Sequence, residues 1–367
     1  MKYFLIAGER SGDLHGSYLV KAIRQQDPAA EFVGYGGDLM QKQGMRLLSH
    51  YQEAAFMGIF EVVKNLRLIL FRILACKNQI DSFSPDAVVL IDYPGFNLRM
   101  AAYAKSKGIR TFYYISPKIW AWKEGRIKKI RKYVDRMLVV FPFEVPYYKQ
   151  LEYPVTYVGN PLVEQIDTYK ATGVKGIDQN ADYRITFMPG SRKQEVLSSL
   201  PRIKELALLR PTWQLLVTAV DNLPAELYSS LAELRNVLVV TGGTYDVLLK
   251  SDAAVVTSGT ATLETALLGI PQVVCYEAHP ISYAIGKRLI KVKYISLVNL
   301  IADEAIVKEL IQDEYNPDSL TSELDKLLLD KKYRNKIQQN YSRITKILET
   351  KKASQEASMI IFNDLRI

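Results

Sequence analysis

The sequence predicts a doubly wound α/β protein of two domains. Three observations carry this. Short apolar runs alternate with helix-period segments along most of the 367 residues. Several runs, "AVVLI" at 87–91 and "MLVVF" at 137–141 among them, are continuously apolar, as suits strands buried on both faces of a parallel sheet. The series is interrupted once, by the polar stretch "DTYKATGVKGIDQNAD" at 167–182, which lacks either periodicity.

Taken in order, strands are expected at 2–7, 31–35, 86–91, 111–115, 137–141 and 155–158, giving a first domain over 1–165. Strands at 183–188, 214–219, 236–240, 253–257 and 272–276 give a second over 166–345. From about 303 to 364 the chain reads as helical and strand-free, with 346–367 packing back on the first domain.

A hydrophobic content of 48% with 24% charged residues fits a folded globular chain. Cys76 and Cys275 lie far apart in apolar settings, which points to buried free thiols in a reducing cytoplasm. The opening "MKYFLIAGERSGD" has too short an apolar run for a secretory signal and reads as a first buried strand. No run of 18 uncharged apolar residues occurs, so no membrane span is expected. The net charge of +9 asks for an anionic partner: nucleic acid, anionic lipid or a phosphorylated substrate. Composition does not choose among them.

The chemistry-bearing segments follow strands. In "AGERSGDLHG" (7–16), small residues lead into a helix, so ligand atoms can approach the backbone and helix N–H groups can meet an anion. Glu9, Ser11 and Gly12 are its candidate site residues. The loop is not GxGxxG, and no acidic residue follows a second strand in the dinucleotide pattern, which disfavours a nicotinamide cofactor. An ordinary tight turn explains it equally well. In "VLIDYPGFN" (89–97), Asp92 closes a strand before an irregular Pro-Gly turn. Partial burial there would fit a carboxylate for general-base work. Capping of the helix that begins near Asn97 is the plainer alternative.

In "FMPGSRKQEV" (187–196), backbone N–H groups, Ser191 and Arg192 converge at a helix start where a diphosphate would sit. In "VVTSGTATLETALLGIP" (255–271), Ser258, Gly259 and Thr260 open another helix, with Glu264 one turn further to accept from ribose hydroxyls. Capping explains either alone; both in one domain favour a nucleotide-diphosphate site. There is no D-x-D, no Walker A sequence, and His15, His50 and His279 have no ligand spacing, so neither metal nor cofactor is expected. Arg192 and helix dipoles would then stabilise a leaving diphosphate.

Together these segments resemble the lipid-A-disaccharide synthases, glycosyltransferases of GT-B type whose two Rossmann-like domains face each other across a crevice. The matching pieces are "AGERSGD", "MGIFEV", "IDYPGFN", "YYISPKIWAWKEGRIKKI", "FPFE", "VGNPL", "PGSRKQE" and "SGTATLE", in order from residue 7 to about 300. The resemblance implies an inverting, metal-independent transfer of diacylglucosamine from UDP to diacylglucosamine 1-phosphate, giving lipid A disaccharide 1-phosphate and UDP. Asp92 falls on the family's catalytic carboxylate and would deprotonate the acceptor's 6-hydroxyl, with Glu9 the next carboxylate in line. Arg192 falls on the arginine that meets the diphosphate, and Glu264 and Asn299 of "ISLVNL" on its nucleotide-sugar positions. Two departures stand: Gly95 occupies a position often acidic in the family, and Asn160 one where many relatives have histidine. The implied setting is a Gram-negative bacterium making lipopolysaccharide, with the enzyme held peripherally at the inner face of the cytoplasmic membrane; a homodimer is compatible with it.

In that setting, Trp120 and Trp122 would sit at the mouth of the crevice, near acceptor or membrane. Arg126, Lys128, Lys129, Arg131 and Lys132 would face lipid headgroups or the acceptor phosphate. A solvated basic helix with its tryptophans in the core is the plainer alternative. Residues 59–74 form a second membrane candidate, with a core stripe of Ile59, Val62, Val63, Leu66, Ile69, Leu70, Ile73 and Leu74. Phe60, Leu68 and Phe71 lie off that stripe, though burial on two sides accounts for the pattern equally. Rivals are another UDP-GlcNAc-using GT-B enzyme (a peptidoglycan glycosyltransferase or a UDP-sugar epimerase) and, in a different class, a nucleic-acid-binding protein. No recognition module supports the last.

Overall fold

The computed structural model describes residues 1–55, 66–279, 283 and 292–366. The chain divides into two compact units, one formed by Met1–Glu164 with Leu348–Ile367, the other by Gln165–Ile347.

The first unit is built on seven strands: β1 Lys2–Ala7, β2 Glu31–Gly36, β3 Arg46–His50, β4 Ala87–Ile91, β5 Arg110–Tyr114, β6 Arg136–Val139 and β7 Thr156–Tyr157. They pair in parallel in the order β3-β2-β1-β4-β5-β6-β7. The second has six: β8 Arg184–Met188, β9 Gln214–Ala219, β10 Val237–Thr241, β11 Ala253–Thr257, β12 Gln272–Tyr276 and β13 Glu309–Ile311. Their order is β10-β9-β8-β11-β12-β13, again all parallel. Helices between successive strands bury both faces, and the interior strands β4 and β9 are buried at every residue.

The eleven expected strands are present within two residues of their bounds. The tail is not strand-free, however: Glu309–Ile311 forms β13. β3, Arg46–His50, is likewise not among the expected strands. Both are edge strands.

In each sheet the strand order reverses once, between β1 and β4 and between β8 and β11. Ligands of open α/β sheets sit outside the carboxyl ends of the strands at such a switch point. The registers Ala7↔Ile91 and Met188↔Val256 bring the loops after these strands side by side. Four of the expected motifs therefore fall at the two switch points.

The last helix, Ala353–Leu365, lies against the helix Arg10–Gln26 in the first unit. Asp364 is its anchor, accepting from Arg110 and, at 2.7 Å, from Arg136 at the starts of β5 and β6. Gly159 of "VGNPL" has φ +97°, and a Cβ there would lie 2.3 Å from the Lys351 carbonyl, so only glycine lets the returning chain pass.

The helix Leu66–Phe83 corrects the expected core stripe. Ile73, Cys76, Ile80 and Phe83 are buried, but Leu70 and Leu74 are 53% and 58% exposed, alongside Leu68 and Phe71 at 43% and 68%. The earlier part of that segment, with "MGIFEV", lies outside the described residues. Among the described residues no helix is long and apolar enough to cross a membrane.

Candidate functional site

In the first unit the site is built around Asp92. Asp92 and Tyr93 are consecutive left-handed residues, with φ +44° and +47°. A tyrosine in that conformation is costly, so the surroundings must fix it. Asn97, fully buried, donates its side-chain amide to the carbonyls of Asp92 (2.7 Å) and Ile91 (3.2 Å). The Tyr113 hydroxyl reaches the Asp92 carbonyl at 2.5 Å. Pro94 then starts the helix Pro94–Ser106, where its missing N–H costs nothing. The "DYPGFN" sequence thus turns the chain sharply and holds the Asp92 carboxyl at the sheet end.

Asp92 does not cap that helix: Tyr93 occupies the N-cap and no side chain caps it. Burial raises the Asp92 pKa, while Lys118, the Tyr93 N–H and Arg126 pull it down. A half-buried carboxylate with a raised pKa at a switch point is suited to accept a proton.

The neighbouring loop fits against it closely. A Cβ on Gly8 would lie 2.3 Å from the Tyr93 ring, so this glycine is demanded by the contact. Glu9, exposed at the start of the helix Arg10–Gln26, acts electrostatically on Tyr93 and so lies beside the same turn. Ser11 is exposed in the first helical turn. Gly12 is buried, and a Cβ would meet Ala7 at 3.2 Å, so the glycine lets this helix pack closely on β1. Asp13, not singled out in the sequence, accepts the N–H groups of Gly37 (2.8 Å), Leu39 (3.1 Å) and Met40 (3.0 Å), tying this loop to the next helix. Beside Gly8 and Tyr93 opens a small cavity of about 40 Å³, lined by aromatic Tyr35, Tyr51 and Phe96 together with Ile69 and Arg72.

The two tryptophans part company. Trp120 is buried edge-on to Phe141 and Phe143 and donates its indole N–H to Glu144. It shapes the loop and does not stand at a mouth, which corrects its place among acceptor or membrane contacts. Trp122 is 45% exposed, with the Lys123 ammonium 4.0 Å and the Arg126 guanidinium 5.6 Å from its ring. Arg126 and Lys129 line a groove that begins at Pro94 and Gly95; Lys128 is exposed but is not among its lining residues. Asn160, the position where relatives carry histidine, is buried and spends its amide on the Val140 carbonyl and the Leu162 N–H.

In the second unit, Arg192 precedes the helix Lys193–Leu209 with its side chain 81% exposed. Part of the backbone cradle expected there is occupied: Glu195 accepts the N–H groups of Ser191 and Arg192 at 3.0 and 3.1 Å, and the Arg192 guanidinium at 3.4 Å. Gly259 and Thr260 are exposed at the start of the helix Thr260–Leu267. Ser258 is half-buried and gives its hydroxyl proton to the Ile295 carbonyl. Glu264 lies one turn on; burial raises its pKa and the Tyr245 hydroxyl holds it down.

Asn299 is a further correction. It is 1% exposed, its amide donates to Val307 and Glu309, and its oxygen accepts from Ile306 and Val307. With every position occupied, it holds the 306–309 segment and has nothing left for a nucleotide sugar. Among the described residues no group of three or more His, Cys, Asp or Glu is placed to hold a metal.

A sequence profile described as Lipid-A-disaccharide synthetase matches residues 3–362. This chain belongs to the lipid-A-disaccharide synthase family. The Lipid-A-disaccharide synthase of Geobacter metallireducens is 38% identical over 374 residues, covering 99% of this chain and 97% of its own. That of Coxiella burnetii is 36% identical, covering 98% and 97%. Among solved structures, the glycotransferase of kitacinnamycin superposes with a TM-score of 0.71 at 15% identity over 99% of both chains. The UDP-GlcNAc 2-epimerase from Neisseria meningitidis gives 0.68 at 13% over the whole of both. These likenesses give the fold, two parallel-sheet α/β domains of GT-B type with a helical C-terminal segment. The family assignment rests on the sequence relatives, which also set the epimerase and nucleic-acid alternatives aside.

Proposed function

We infer that this chain joins UDP-2,3-diacylglucosamine to 2,3-diacylglucosamine 1-phosphate, releasing UDP and lipid A disaccharide 1-phosphate. The observation that carries this is the family match over residues 3–362, in a chain whose first switch point holds Asp92. Asp92 takes the proton of the acceptor's 6-hydroxyl as that oxygen attacks the donor's anomeric carbon. The carbon–oxygen bond to UDP breaks, its electron pair leaves with the diphosphate, and attack from the opposite face inverts the centre. Arg192 meets the developing negative charge. The step uses no metal, so turnover in EDTA should equal turnover without it.

Acylated substrates explain the apolar features of the first unit. The exposed leucines and Phe71 of the helix Leu66–Phe83, with Trp122 and the exposed Lys128, Arg131 and Lys132, suit a peripheral contact with an anionic membrane surface. The test is incubation with both substrates followed by mass spectrometry. Disaccharide 1-phosphate and UDP in equal amounts are expected; UDP-dependent turnover without disaccharide would overturn the assignment.

A further inference from the structure

The groove that starts at Pro94 and Gly95 is bordered by Arg99, Lys123, Arg126 and Lys129, and has a volume of about 460 Å³. Four cationic side chains from two separate segments converge there. Among the described residues none of the four has a carboxylate within ion-pairing distance, while elsewhere in the unit Arg110 and Arg136 are paired with Asp364. Their arrangement is not left to chance. Arg99 donates to the Gly95 carbonyl at 3.2 Å, and Lys123 and Arg126 both lie over the Trp122 ring, which fixes them without neutralising them. The groove also meets the first turn of the helix Pro94–Ser106, whose N-terminal end favours negative charge.

We propose that this groove is the seat of the acceptor's phosphate, a phosphomonoester dianion clamped by Arg99, Lys123, Arg126 and Lys129. The proposal rests on the functional reading above and sorts the basic segment into two sets. Arg126 and Lys129 belong to the substrate site, together with Lys123 and Arg99. Lys128, Arg131 and Lys132 do not line the groove. It also couples binding to chemistry. Arg126 is one of the groups that hold the Asp92 pKa down. A dianion seated on Arg126 cancels that influence, so the carboxylate becomes a better base once the phosphorylated acceptor is in place.

The test compares the full-length protein with the triple variant Arg99→Met, Lys123→Met, Lys129→Met, which leaves Asp92 and Arg126 intact. Three quantities are read: calorimetric binding of diacylglucosamine 1-phosphate in detergent, binding of the same lipid without its phosphate, and partition to vesicles containing phosphatidylglycerol. The proposal expects the triple variant to bind the phosphorylated lipid about ten- to a hundredfold more weakly. Affinity for the dephosphorylated lipid, UDP affinity and vesicle partition should stay within about twofold. Equal weakening toward both lipids would overturn it, as would unchanged lipid affinity with lost vesicle partition, which would assign the groove to membrane headgroups. Because binding is read without turnover, a wild-type protein that clamps the phosphate yet makes no disaccharide would sink the functional reading and leave the groove standing. A second readout uses the Arg126→Met variant. In the wild type the acid limb of kcat should lie above that of kcat/KM with the phosphorylated acceptor, and in Arg126→Met the kcat/KM limb should itself move up, because the cation that holds Asp92 down is gone. Coincident limbs in the wild type, or an unmoved kcat/KM limb in the variant, would contradict the coupling.

Discussion

Trp120 donates its indole N–H to the Glu144 carboxylate at 3.2 Å. The same carboxylate accepts from the Ser116 hydroxyl and from the N–H groups of Val140 and Phe141 at 3.1 and 2.9 Å. One buried side chain thus joins the loop after β5 to the turn after β6. Burial raises its pKa from the ordinary 4.5 to about 7, against four donors that hold it down. The folded protein therefore binds this proton more tightly than the unfolded chain. The stability it adds is complete below about pH 4.5 and is lost as pH rises through about 7. Melting temperatures of the wild type and Glu144→Gln should accordingly diverge, the wild type losing ground to the variant across that window. A difference that does not change with pH would contradict this.

Arg192→Ala should weaken UDP binding by about 1.5–3 kcal/mol, the range for a charge-assisted hydrogen bond. Stability should hardly move, because the pair with Glu195 is exposed and contributes under about 1 kcal/mol. Calorimetry with UDP decides; unchanged affinity in a folded variant would take Arg192 out of the site.

Asn299→Ala should behave as a structural mutation. It strips partners from Ile306, Val307 and Glu309, and unfolding should become easier by roughly 2–4 kcal/mol. UDP affinity measured on the folded variant, at a temperature well below its melting point, should match the wild type. A stable variant with weakened UDP binding would restore Asn299 to the nucleotide site.

Replacing Leu68, Leu70, Phe71 and Leu74 by serine should cut partition to anionic vesicles at least about tenfold, since each exposed apolar side chain is worth on the order of 1–2 kcal/mol in a lipid phase. Melting temperature should stay level or rise, because none of the four is in the core. Vesicle sedimentation checks it, and unchanged partition would remove this helix from the membrane contact.

The sheets were legible because strands such as Ala87–Ile91 are buried on both faces and therefore apolar throughout. The edge strands Arg46–His50 and Glu309–Ile311 were not, since a short ladder at a sheet edge needs no apolar run. Asp92 stood out as a carboxylate between an apolar strand and Pro-Gly. Glu144 did not, because its four donors come from segments up to 28 residues away. Asn299 was misplaced for a related reason: residues 306–309 consume its amide, and spacing alone does not reveal that. In the helix Leu66–Phe83, periodicity defined adjacent apolar stripes without saying which faced the core. Ile73, Cys76 and Ile80 do; Leu70 and Leu74 do not. At Gly12 the local sequence does not separate a packing glycine from a ligand-facing one; the close approach to Ala7 shows the packing.

The central claim is that Asp92 is the base, and Asp92→Asn tests it most directly. Tyr93 holds the N-cap, so the amide should leave the helix and the melting temperature unchanged. UDP affinity should also be unchanged, because Arg192 belongs to the other unit. In the wild type, turnover should fall on the acid side as Asp92 is protonated, at a pH above the ordinary aspartate value of 3.8 because burial raises its pKa. The deciding measurement is kcat for disaccharide formation by the folded, UDP-binding Asp92→Asn variant. The account predicts a fall of roughly two to four orders of magnitude; a rate near that of the wild type would contradict it and move the search to Glu9.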